Sequence, residues 1–166
     1  RRRYSCGLAP LQSRVFYRTP DWRSPVSLSL FHSARFAISV ADLATIAPPA
    51  LPEISFAGRS NAGKSTVINV LTQQKRLAFA SKTPGRTQLL NLFVLNEKNE
   101  HGDRVERGTL VDLPGYGYAR ADASQRATWD ALVGGYVGNR QSLIGIVLVM
   151  DARRPFMPPD EALLRF

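Results

Sequence analysis

Cysteine and histidine are nearly absent: Cys6, His32 and His101 are all that 166 residues contain, and neither histidine has metal-ligand spacing around it. One thiol excludes an internal disulfide and fits a reducing compartment. Its place in a basic, irregular leader also argues against a catalytic role for Cys6. Long apolar runs are missing too. The longest, residues 143–150, suits a buried strand and falls well short of the roughly 20 residues of a membrane-spanning helix. Acid is scarce, with 13 Asp and Glu against 22 Lys and Arg, a formal net charge of +9. That surplus favours polyanions, nucleic acid first among them.

What remains is ordinary for one globular domain, 44% hydrophobic and 21% charged, without internal repeats. Residues 1–30 are rich in Arg and Ser, are broken by Pro10, Pro20 and Pro25, and carry Asp21 as their only carboxylate. We read 1–33 as a basic, disordered leader and 34–166 as the domain. The leader has some character of an organellar transit peptide, although a misplaced start gives the same text. The chain does not begin with Met, so Arg1 is not expected to be the native start.

The domain is organised around residues 53–68, EISFAGRSNAGKSTVI. Residues 53–57 read as a strand with Ile54 and Phe56 on one face, and Val67, Ile68, Val70 and Leu71 follow at helical spacing. Between them Gly58, Arg59, Ser60, Asn61, Ala62, Gly63, Lys64 and Ser65 spell the phosphate-loop pattern. Backbone N–H groups and the helix dipole make such a loop an anion site, and Gly58 and Gly63 let the backbone approach phosphate oxygens. Lys64 is expected to reach the β- and γ-phosphates and the Ser65 hydroxyl to ligate Mg²⁺.

A helix over 64–74 gives way to a basic segment, 75–86, that overlaps S-K-T-P-G-R-T-Q at 81–88. Pro84 and Gly85 forbid a helix there, and Thr83 and Thr87 both lie where a switch threonine donates to Mg²⁺. Phe36, Ile38 and Val40 alternate as in a short strand, while Phe36, Val40 and Leu43 also fit a helix; strands are expected over 89–95 and 109–113, with a hairpin turn over 96–103 containing Gly102. Asp112 ends the last of these in V-D-L-P-G, where a carboxylate holds Mg²⁺ through water and the Gly115 N–H meets a γ-phosphate. Ser124 or Asp122 caps a helix whose face is Trp129, Leu132, Val133, Tyr136 and Val137, and Gly134 and Gly135 are expected to end it early. Alternating strands and helices argue an α/β fold with a largely parallel sheet.

Together, G-R-S-N-A-G-K-S, S-K-T-P-G-R-T-Q, V-D-L-P-G-Y-G-Y-A and D-A-R-R-P resemble the EngB (YihA/YsxC-type) bacterial GTPases over residues 34–150. The resemblance implies a Ras-like G domain of the P-loop NTPase fold. It implies a cytoplasmic monomer that binds GTP and GDP and acts in large ribosomal subunit assembly, with rRNA as partner, and in normal cell division and septation. It implies GTP contacts across 58–65, at Gly85, Arg86, Thr87, Gln88 and Leu89, and at Asp112, Leu113, Pro114 and Gly115. It implies Mg²⁺ on Ser65 and Thr87. The family's guanine-reading T-K-x-D motif does not occur in this chain. The last strands and helices of the fold are therefore expected to be missing, leaving 143–150 an apolar sheet edge and the piece prone to aggregate or to bind nucleotide poorly.

Tyr116 stands where a water-positioning glutamine would follow Gly115. Slow intrinsic hydrolysis is therefore expected, with Lys64 and Asn61 as the catalytic candidates and K⁺ held by Asn61 as one source of positive charge. Lys75, Arg76, Lys82, Arg86, Arg153 and Arg154 are candidate RNA phosphate contacts. A metabolic phosphate-loop kinase, or an RNA-binding module with a vestigial nucleotide site, are the competing classes. D-L-P-G argues against the first, and intact Lys64, Ser65 and Asp112 against the second.

Overall fold

A computed structural model describes residues 28–78, 89–117 and 127–165. Its strands are β1 (Arg35–Val40), β2 (Glu53–Gly58), β3 (Leu90–Lys98), β4 (Arg104–Asp112) and β5 (Leu143–Val149). Its helices are α1 (Ser29–His32), α2 (Lys64–Leu71), α3 (Gly135–Asn139), which continues a π-helical stretch over Asp130–Gly134, and α4 (Pro158–Leu164).

The strands form one sheet in the order β1-β3-β4-β2-β5. β2 pairs in parallel with β4 and β5, while β1–β3 and β3–β4 are antiparallel. The sheet is thus evenly mixed rather than largely parallel, because the β3–β4 hairpin reverses the chain inside it. Asn99 builds that hairpin's turn: its Oδ1 accepts from the N–H groups of His101 and Asp103, and Gly102 takes a φ of +85°.

Apolar clusters cover both faces of the sheet. One gathers Val40, Ala57, Leu90, Leu92, Val111 and Leu113 under Leu132, Val133 and Tyr136. The other gathers Phe56, Phe93, Leu95 and Leu110 under Ile68 of α2. Each large side chain so buried contributes about 1.5–3 kcal/mol. Leu30 and Phe31 pack against the second cluster, ahead of the residue 34 at which the domain was expected to begin.

Of the apolar residues at helical spacing in α2, Val67 and Val70 are 38% and 71% exposed, since the helix meets the sheet through Lys64, Ile68 and Leu71. A further expectation is corrected. The helix does not end at Gly134 and Gly135 but runs through both. A Cβ on Gly135 would lie 2.7 Å from Leu43 Cδ1, the end of a side chain of the 3₁₀ turn Leu43–Thr45 that would have to swing aside. β5 pairs only with β2 among the described strands and leaves Ile144, Ile146 and Val147 exposed, as expected of an apolar edge. The helix cap expected at Asp122 or Ser124 lies outside the described residues.

Candidate functional site

β2 ends at Gly58 and α2 begins at Lys64, so the loop between them stands at the C-terminal edge of the parallel strands, where α/β sheets bind ligands. Gly58 admits no side chain, because a Cβ would meet the Val149 carbonyl oxygen at 2.3 Å. Asn61 and Gly63 hold φ at +63° and +101°, turning the chain into the helix. The first helical bond is Val67 N–H to Gly63 O, so the N–H groups of Lys64 and Ser65 have no intrahelical acceptor.

The Lys64 side chain is buried and donates from Nζ to the Gly58 carbonyl at 3.1 Å. Burial pushes its pKa down, and the Asp112 charge partly restores it. Asp112, at the end of β4, accepts from Ser65 Oγ on Oδ2 at 3.4 Å. Burial raises its pKa to about 6, against the opposing pull of Lys64 and Ser65. Its Oδ1 is buried without a partner among the described residues. A hydroxyl and an orphaned carboxylate oxygen, both hard donors, suit Mg²⁺ and its water. Ser65 would hold the ion and Asp112 its water, and the ion would supply charge neutralisation at the phosphates.

The D-L-P-G segment folds over the loop. Ser60 N–H donates to Tyr116 O at 2.8 Å, and Arg59 and Tyr116 form a parallel bridge. Gly115 is packed so closely that a Cβ would stand 2.9 Å from Ser60 Cα and 3.2 Å from Lys64 Nζ. The structure thus brings Gly58, Ser60, Lys64, Ser65, Asp112 and Gly115 together. Leu113 is buried in the core below, its N–H bonded to Phe56 O, and Pro114 O accepts from Trp129 Nε1. Leu89 directly precedes β3, whereas Gly85, Arg86, Thr87 and Gln88 lie outside the described residues, as does Thr83.

A cavity of about 400 Å³ beside the loop is lined by Arg59, Ser60, Asn61, Asp151, Arg153 and Arg154. Arg153 is committed to Asp151, whose carboxyl these hydrogen bonds hold down to about 2.

Two supporting constellations were not visible in the sequence. Tyr116 donates its hydroxyl to the buried Asp160, and Glu53, at the base of β2, accepts from Tyr136 at 2.6 Å and from Arg140. Their partners are 44, 83 and 87 residues away, and no local signal pairs them.

An anion-binding loop at a helix N-terminus, with its serine joined to a strand-end aspartate and a glycine packed above its lysine, defines a P-loop G domain. A family model described as "50S ribosome-binding GTPase" matches residues 53–166. The chain is 56% identical over 134 residues to the probable GTP-binding protein EngB of Ralstonia pickettii (strain 12J), covering 80% of this chain and 56% of that protein. It is 50% identical over 139 residues to the protein of the same name from Bordetella pertussis (strain Tohama I), covering 84% and 66%. A crystal structure of a probable GTP-binding protein engB aligns at 29% identity with a TM-score of 0.40, over 61% of this chain and 50% of that one. The chain belongs to this GTPase family, among its EngB-type members. It spans little more than half the length of the Ralstonia relative.

Proposed function

We propose that the protein binds GTP with Mg²⁺ and hydrolyses it slowly, as a switch in assembly of the large ribosomal subunit. The observation that carries the nucleotide reading is the Ser65–Asp112 pair, its Oδ1 unpartnered among the described residues, beside the buried Lys64. Residues 58–65, Gly85, Arg86, Thr87, Gln88, Leu89 and residues 112–115 form the nucleotide site, and Ser65 and Thr87 ligate the ion. Guanine as the base rests on family membership.

The ribosomal reading is supported by the description of the matching family and by the net charge of +9. The protein acts as a cytoplasmic monomer, engaging precursors of the large subunit through rRNA, and normal division and septation depend on it. With the γ-phosphate present, Thr87 and the Gly115 N–H order their segments, and hydrolysis releases both.

Co-sedimentation of the full-length protein with large-subunit precursors tests this. Binding should differ between GDP and a non-hydrolysable GTP analogue and fall with rising salt. Binding indifferent to both would contradict the switch.

A further inference from the structure

A second cleft lies away from the phosphate loop, where the C-terminal end of α2 meets the outer strands of the sheet. It holds about 980 Å³, at the upper end of the roughly 300–1,000 Å³ of small-ligand sites, and is open along its length. Its floor is one face of the β1–β3 pair. Phe36 meets Phe93 in a T-shaped contact, ring centroids 6.1 Å apart, yet stays 55% exposed. Beside it Ser39 Oγ donates to Asn91 Oδ1, which leaves the Asn91 amide N–H₂ without a partner among the described residues.

The wall is preformed. Gln73, at φ +54°, turns the chain out of α2, and the Asn69 side-chain amide clamps Ala78 through both its oxygen and its nitrogen, each at 2.8 Å. Between these points Lys75 and Arg76 stand exposed at the cleft, and neither takes part in an ion pair among the described residues.

An exposed aromatic ring, free amide hydrogen-bonding groups and unpaired cations along an open cleft are the components of a single-stranded nucleic-acid platform. The chain's own undescribed segments are poor occupants on charge. Residues 1–27 carry one carboxylate, Asp21, against six arginines, and residues 79–88 carry Lys82 and Arg86 with no acid.

We propose that this cleft binds unpaired RNA, with a base stacked on Phe36, base edges or ribose at Asn91 and Ser39, and flanking phosphates on Lys75 and Arg76. The choice of RNA over another polyanion rests on the ribosomal reading above.

The test is fluorescence anisotropy of a labelled single-stranded RNA dodecamer with the full-length, GDP-bound protein, recording GDP affinity for every variant. Phe36→Ala is expected to weaken RNA binding about tenfold, within the range for losing one stacked base, and Phe36→Trp to retain it. Lys75→Ala with Arg76→Ala, at exposed positions where folding is not at risk, should lower the slope of log affinity against log salt by roughly 1.4, at about 0.7 per phosphate. Unchanged GDP affinity alongside these losses supports the cleft. RNA binding unaltered in all variants would overturn it. So would equal competition by a duplex of the same sequence, or loss of ribosomal-particle binding with RNA affinity untouched, which would indicate a protein partner. Failure of the wild-type protein to bind GDP while the RNA effects persist would count against the nucleotide reading and leave the cleft standing.

Discussion

Tyr116 and Asp160 are joined by a 2.7 Å hydrogen bond from the phenol hydroxyl to Oδ1, and the other oxygen of Asp160 accepts the Met157 N–H at the head of α4. Trp129 completes the arrangement, lying edge-on to Tyr116 and donating from Nε1 to Pro114 O. The segment that carries Gly115 is therefore tied both to the phosphate loop and to a helix outside it.

Tyr116→Phe keeps the ring and deletes the hydroxyl, leaving the fully buried Asp160 short of one donor. The expected loss is about 1.5–3 kcal/mol, the range for a hydrogen bond to a charged group, read from urea unfolding. In a full-length background with every tryptophan but Trp129 replaced by Phe, emission from Trp129 should change when GTP analogue replaces GDP. Unchanged emission would mean that Pro114 and Tyr116 do not follow the γ-phosphate.

Glu53 links β2 to α3. Burial alone would push its carboxyl up, but the hydrogen bonds from Arg140 and Tyr136 and the Arg140 charge outweigh it and hold the pKa below the ordinary 4.5. Its contribution to stability is therefore complete above pH 4.5 and is lost as pH falls through the depressed folded value. Glu53→Gln should cost about 3 kcal/mol at neutral pH, the low end for a broken buried pair because the Arg140 side chain is 14% exposed. It should also flatten the acid limb of the stability curve; an identical acid limb in the variant would contradict the assignment.

Glycines in the sheet are not equivalent. Gly58→Ala sets a Cβ against the Val149 carbonyl, backbone that cannot swing aside, and an overpacking cost of about 1–3 kcal/mol is expected. Gly145→Ala in β5 meets nothing within 4 Å and should be nearly neutral. Equal melting shifts for the two would be inconsistent with this packing.

Much of the site was legible because it is contiguous. The phosphate loop needs one strand, one glycine-bearing turn and one helix start, all written between residues 53 and 68. Asp112 was legible as the carboxylate ending an apolar strand. The remainder depends on topology. The hairpin at 96–103 could be read, but its placement beside β1 and β4, which makes the sheet mixed, could not. Periodicity put Val67, Ile68, Val70 and Leu71 on a helix, but not which of them the sheet covers, and it takes only the Lys64, Ile68 and Leu71 stripe of α2. Glycine's cost to a free helix suggested a break at Gly135, but the helix runs on there with its glycine packed against the Leu43 side chain.

Asn61 is exposed at the mouth of the loop with φ at +63°. If it holds a monovalent cation near the β–γ bridge, GTP turnover by the full-length protein should be faster in potassium than in sodium buffer, and Asn61→Ala should abolish the difference. Equal turnover in the two salts would remove the cation from the mechanism.

Titration calorimetry of the full-length protein with GDP and ATP, in Mg²⁺, for wild type and Lys64→Ala tests the nucleotide site most directly. The expected result is saturable heat with GDP, little with ATP, and at least a hundredfold weaker GDP binding in the variant. Absence of heat with either nucleotide in a folded wild-type protein, or equal GDP affinity in Lys64→Ala, would contradict it.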